Sequence, residues 1–144
     1  MRLQTLLGFD FGLQRIGVAV GQQITGTATA LETINSHDGQ PDWEAISGLL
    51  QTWRPAALVV GLPLTADGRE TDFTQAVRRF VRQLKGRYHL PVHTIDERLS
   101  SREATGLHHR RDAALTRKGI DALAACIILQ NWLDTCDGKN ERTQ

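Results

Sequence analysis

Ala56-Ala57-Leu58-Val59-Val60-Gly61 is an unbroken apolar run set between two helical patterns. A short run without polar alternation fits a strand covered on both faces. Before it, Trp43, Ile46, Leu50 and Trp53 recur at helical spacing, and Arg54-Pro55 ends the pattern. Pro41 is expected in the first turn of that helix, with Asp42 and Glu44 near its positive end. After the run comes a loop from Leu62 to Arg69, then a second helix from about Thr71 to Lys85. Phe73, Val77, Phe80 and Leu84 form its apolar stripe. Pro91 to Asp96 reads as another strand. This βαβ order implies parallel strands joined by right-handed crossovers.

The start of the chain has a different rhythm. Thr5–Asp10, Arg15–Val20 and Thr25–Ile34 are three short strand patterns separated by turns. Strands this close in sequence predict an antiparallel meander. At the other end, Ile120 to about Leu133 is apolar on almost every side, as expected of a deeply buried helix. The expected class is α/β: a mixed five-stranded sheet, three antiparallel strands plus two parallel ones, flanked by helices. Ser100 and Glu103 have capping-box spacing at the start of a further short helix.

A length of 144 residues suits one domain, expected over 1–137, with a polar, disordered tail over 138–144. Cys126 and Cys136 have no metal-ligand spacing and make no disulfide framework; Cys126 reads as a small buried hydrophobe. No run approaches the roughly 18 apolar residues that span a bilayer, and Met1 to Thr5 has no signal-peptide pattern. A cytoplasmic protein with no membrane partner is expected. The net charge of +1 hides a split. Residues 1–77 carry 4 basic and 8 acidic groups, residues 78–118 carry 11 and 4, and residues 119–144 carry 2 and 4. The middle block, net +7, is what a polyanion would meet.

Three elements deliver carboxylates toward one edge. Asp10 closes the first strand, and Asp96-Glu97 closes the last. Asp121 shares a helix face with Ala125, Ile128 and Trp132, so it should point at the sheet. Singly, each acid has a bland account: a turn at Phe11-Gly12, an ion pair with Arg98 or Arg102, a favourable helix dipole. Together they repel one another unless a cation shares the site. An oxygen-only cluster suits Mg²⁺ or Mn²⁺, and such ions between a phosphodiester and a water support in-line hydrolysis.

At these residues the sequence resembles the YqgF family, also called RuvX, of RNase H-like nucleases. The matching stretches are Gly8-Phe9-Asp10-Phe11-Gly12 through Ala19, Val60-Gly61-Leu62-Pro63-Leu64 with Asp67-Gly68, Asp96-Glu97-Arg98-Leu99-Ser100-Ser101, and Lys118 with Asp121, Ala124-Ala125 and Ile128-Leu129. The resemblance runs from about Leu6 to Leu133. It implies an RNase H-like fold and a hydrolase acting on ester bonds, a divalent-metal-dependent endonuclease of structured nucleic acid. Its catalytic and metal-binding acids are then Asp10, Glu97 and Asp121, with Asp96 an adjacent candidate ligand. The implied task is processing the 5′ end of pre-16S rRNA in ribosome biogenesis. The alternative is a Holliday junction resolvase in DNA recombination and repair. Members often carry Thr or Ser in place of Leu13, and Asn-Met in place of Thr65-Ala66, departures that bear on substrate contacts of those two loops.

Arg98 and Lys118 lie beside the proposed acids, and Arg15 follows the first turn. With Arg102, Arg110, Arg111 and Arg117 they are the candidate nucleic-acid contacts, since a cation there can hold a phosphate. The polar segment Leu107–Arg117 is either a substrate-contacting loop or a plain connector. His108-His109 reads as passive. Arg78, Arg79, Arg82, Lys85 and Arg87 crowd the second helix, which alone is most simply a solvated face. A junction resolvase needs two active sites and so predicts a dimer; an rRNA nuclease works as a monomer. Two other classes compete. One is a non-catalytic nucleic-acid-binding regulator. The other is an actin-like ATPase, which needs a second lobe that this length does not accommodate.

Overall fold

The computed structural model describes residues 4–97 and 117–143, with side chains of the last helix described from Gly119 to Thr135. The elements in chain order are β1 (Thr5–Asp10), β2 (Arg15–Gln22), β3 (Thr27–His37), β4 (Gln40–Pro41), α1 (Trp43–Trp53), β5 (Ala57–Leu62), α2 (Asp72–Tyr88), β6 (Val92–Asp96) and α3 (Arg117–Thr143). They build one sheet in the order β4-β3-β2-β1-β5-β6. β1, β2 and β3 form the expected antiparallel meander, and β1, β5 and β6 run parallel.

Two expectations need correction. The sheet has six strands rather than five, because β3 runs on to His37 and turns back through Asp38 and Gly39, both at positive φ, into β4. Pro41 belongs to that strand rather than to the first turn of α1. The start of α1 is set by Asp42, whose Oδ1 accepts from the Ala45 amide at 3.2 Å. Helix α3 spans Arg117–Thr143.

Strand alternation divides the core into two layers. Leu7, Phe9, Ile16, Val18, Leu58 and Val60 face α1 and α2. There Phe80 meets Phe9 edge-on at 5.8 Å, and Phe11 packs on both Phe80 and Phe73. The opposite face carries Leu6, Ala19, Ala57 and Val59 and is covered by Ala125, Ile128, Leu129 and Leu133 of α3. As the apolar pattern of that helix demands, no residue from Gly119 to Leu133 is exposed.

Helix α3 lies close to the strands because they offer glycines to it. A Cβ at Gly8 would sit 2.8 Å from Leu129 Cβ, and one at Gly21 would sit 2.9 Å from Leu129 Cδ2. At Gly17 a Cβ would run into the main-chain carbonyl of Asp121. Small residues on one face of β2 therefore set the depth at which α3 rests.

Helix α2 begins in a reciprocal cap. Thr71 Oγ1 accepts from the Thr74 amide at 3.2 Å, and Thr74 Oγ1 accepts from the Thr71 amide at 2.9 Å. The buried Thr74 hydroxyl also donates to the Pro63 carbonyl at 2.6 Å, tying the helix start to the loop after β5. Thr71→Ala removes one side of this cap and is expected to cost about 1 kcal/mol, read by urea denaturation. No helix among the described residues is long and apolar enough to cross a membrane.

Candidate active site

Asp10 is the last residue of β1 and Asp96 the last of β6, with β5 between these two parallel strands. All three strands end at the same edge, where ligands gather in parallel sheets. The face on which each acid sits follows from alternation. Leu6 and Gly8 face α3, so Asp10 does too. His93 stacks on Trp132 of α3 at 4.5 Å, and Ile95 packs in the same layer. Asp96 therefore alternates to the opposite face, and the α3 side is left to Glu97.

The gap between Asp10 and Glu97 is spanned by Gly61 of β5. A Cβ on Gly61 would lie 2.7 Å from Glu97 Cγ and 2.5 Å from Ile128 Cδ1. Its missing side chain is the space through which the two carboxyls meet. They share a hydrogen bond, and burial pushes Asp10 well above the usual carboxylate range. The Glu97 charge, the shared hydrogen bond and the Asp121 charge push it further in the same direction. Glu97 is also raised, first by burial and then by the charge of Asp96, while the bond from Asp10 pulls it back down. Both carboxyls are thus pushed toward the neutral form, and the pair is disposed to share one proton.

Asp121, in the first turns of α3, joins them from across the sheet. Its Oδ2 accepts from Arg15 Nε at 2.8 Å, with both side chains about a quarter exposed. Asp121 thereby sits against β2, one strand over from Asp10. Gly12, Leu13, Gln14, Arg15 and Asp121 line an open cavity of about 370 Å³. Leu13 stands half-exposed at its rim. Glycine is required at Gly12, where a Cβ would lie 2.5 Å from the Arg15 carbonyl. The Leu13 and Gln14 carbonyls accept from the Gly39 and Ser36 amides at 3.0 and 2.9 Å, pinning this turn to the β3–β4 hairpin.

The structure therefore brings Asp10, Glu97 and Asp121 to one edge, with Arg15 among them, and turns Asp96 away. Arg98, Arg102, Arg110, Arg111, the Leu107–Arg117 segment, His108-His109 and the Ser100–Glu103 cap lie outside the described residues. Arg117 and Lys118 open α3, and their side chains also lie outside them. Cys126 is partly buried, as its apolar surroundings suggest, with Sγ 3.3 Å from the Ala28 carbonyl.

Donor chemistry and geometry can be weighed for a metal. As they stand, no three His, Cys, Asp or Glu side chains among the described residues are gathered tightly enough to hold an ion. Asp121 is engaged by Arg15, and Asp10 and Glu97 are joined through a proton. The set is nonetheless all oxygen, and two of its members are raised carboxyls in contact. A divalent cation held between these carboxyls would favour their charged forms.

The raised pair makes stability depend on pH. The folded protein holds a proton that the unfolded chain releases at ordinary carboxyl pKa values. Metal-free stability is therefore full at acid pH and falls as pH rises from the ordinary carboxyl range through the raised native values. Urea denaturation across pH in a chelator should show this decline, and Asp10→Asn should flatten it. A wild type and variant with the same slope would exclude the shared proton.

The chain matches the RuvX family model, described as a Holliday junction resolvase, over residues 4–135. It is 47% identical to a Pseudomonas fluorescens protein named "Putative pre-16S rRNA nuclease", covering 93% of this chain and 94% of that one. It is 51% identical to a Hydrogenovibrio crunogenus protein of the same name, covering 90% and 92%. Its fold is similar to that of Thermus thermophilus RuvC solved with a Holliday junction, with a TM-score of 0.58, 18% identity and 94% and 96% coverage. It is also similar to that of the fowlpox virus resolvase, with a TM-score of 0.59, 11% identity and 92% and 98% coverage. The six-stranded sheet thus has the fold of these two structures, and the chain belongs to the RuvX family.

Proposed function

We propose that this protein is a divalent-metal-dependent endonuclease that hydrolyses phosphodiester bonds at the 5′ end of pre-16S rRNA. The observation that carries the reading is the Asp10–Glu97 carboxyl pair at the ends of the parallel strands, with Asp121 in its field. Relatives at about half identity whose name specifies that substrate support the RNA assignment.

Asp10 and Glu97 would hold the cation as a pair, and Asp121 would be the third oxygen donor. A bound Mg²⁺ or Mn²⁺ supplies activation of the attacking water and neutralisation of the departing oxygen. No side chain need form a covalent bond to the substrate. Arg15 keeps Asp121 in place without substrate, and its guanidinium stands at the cavity rim, where a phosphate arrives. Arg98, Arg102, Arg110, Arg111, Arg117 and Lys118 are assigned by sequence to further phosphate contacts. The protein is proposed to work in the cytoplasm as a monomer.

The description of the family as junction resolvases favours a second reading, in which the substrate is a four-way DNA junction and the active form is a dimer. The choice is made by offering purified protein with Mg²⁺ or Mn²⁺ a precursor rRNA 5′ end and, separately, a four-way DNA junction. Cleavage of the RNA alone supports the first reading. Cleavage of the junction alone, by a dimer, replaces it with the second.

A further inference from the structure

Helix α2 carries cations that the carboxylate edge does not use. Arg79, Arg82, Lys85 and Arg87 are exposed. Among the described residues none of the four has an acidic partner. Arg78 is different: it is spent on Glu70 through two bonds, Nε at 3.0 Å and Nη2 at 2.5 Å. After Asp72 the helix contains no acid at all. A merely soluble helix face usually mixes its charges, with acids placed to pair at i and i+4. This one is single-signed over its outer side.

The strip is held rigidly relative to the site. Phe11, the residue after Asp10, packs on Phe73 and Phe80 of α2 at 6.1 and 4.9 Å. The Thr71–Thr74 cap fixes the helix start beside the loop that leaves β5. At the far end Arg87 lies 4.1 Å over the Trp43 ring, which orders its guanidinium. Gly86 has open space above it, so a backbone can come close there. Helix α2 starts at the carboxylate edge and runs back along the sheet. Arg79 to Lys85 spans about 9 Å at 1.5 Å per residue, which faces two to three phosphates of one strand, at about 3.4 Å each.

We propose that the outward face of α2, through Arg79, Arg82 and Lys85, is a second nucleic-acid contact. It follows the phosphate backbone of the substrate arm that leads away from the carboxylate edge. This rests on the nuclease reading and adds to it a surface remote from the reacting atoms. The contact reads charge and spacing and carries no base specificity.

The test is binding of a precursor rRNA 5′ end to Asp10→Asn protein, which separates binding from cleavage. It compares that protein with the same protein also carrying R79E, R82E and K85E, and with R79K and R82K in place of the reversals. The reversals are expected to weaken binding at least tenfold near 0.1 M salt. They should also lower the slope of log affinity against log salt by about 2. The lysine variants should keep both, because phosphate tracking needs the charge and not the planar fork. Equal affinity and slope for the reversed protein overturn the proposal and would leave the strip to an acidic protein partner. If the Asp10→Asn protein binds no nucleic acid at all, the nuclease reading itself fails, and this proposal with it.

Discussion

Asp10→Asn lowers single-turnover cleavage by about three orders of magnitude or more while nucleic acid still binds. The amide keeps the size of the side chain and loses the negative charge that would grip a cation. It also removes one of the two carboxyls that share the proton, leaving Glu97 as the single acid of the pair. The same substitution should stabilise the metal-free protein at neutral pH, because folding no longer has to bury that charge or take up a proton to neutralise it. Lower activity together with higher metal-free stability is the signature of a residue placed for chemistry at the expense of the fold. A variant that loses activity by unfolding would show the opposite sign in stability. Full cleavage by Asp10→Asn would remove Asp10 from the mechanism.

Gly17→Ala is expected to cost about 3 kcal/mol or more in urea denaturation, and to lower cleavage as well. One methyl is a small addition, but here it meets the main-chain carbonyl of Asp121. A side chain could rotate away; the backbone of α3 cannot, since Ala122, Ala125, Ile128 and Leu129 are packed beneath it. Either β2 or the start of α3 must shift. Asp121 moves with the latter, and its bond to Arg15 moves too. Gly48 offers the contrast. It lies in α1 with nothing near a Cβ, so Gly48→Ala should stabilise by about 0.5–1 kcal/mol through helix propensity alone. Equal effects at the two positions would mean that the approach of α3 to β2 does not matter.

The parts of the fold set by hydrophobic period were readable from the chain. Val59 and Val60 in an unbroken run gave a two-sided buried strand, and Phe73, Val77, Phe80 and Leu84 gave one face of α2. That Asp10, Asp96-Glu97 and Asp121 converge followed from strand ends and helix phase in the same way. What escaped was set by turns and by absent side chains. The two-residue β4 has no period to detect, and it exists because Asp38 and Gly39 take left-handed backbone. Pro41 beside Asp42 looks like a helix start, and only the sheet pairing of Ser36 with Pro41 assigns it to a strand. Gly61 and Gly17 stood in recognisable motifs, yet their use depends on what lies opposite them. The signal was present in the alternation of Gly17, Ala19 and Gly21, which marks one face of β2 as a seat for another backbone. Asp96 and Glu97 were inseparable as adjacent acids until His93 and Ile95 showed which parity faces α3.

The most direct measurement is single-turnover cleavage of a precursor rRNA 5′ end by the wild-type protein across a Mg²⁺ titration, beginning in chelator. The carboxylate edge requires no cleavage without metal, a rate that rises to saturation as metal is added, and loss of the rate when chelator is restored. Cleavage at the same rate in chelator as in Mg²⁺ would contradict a metal-held site at Asp10, Glu97 and Asp121.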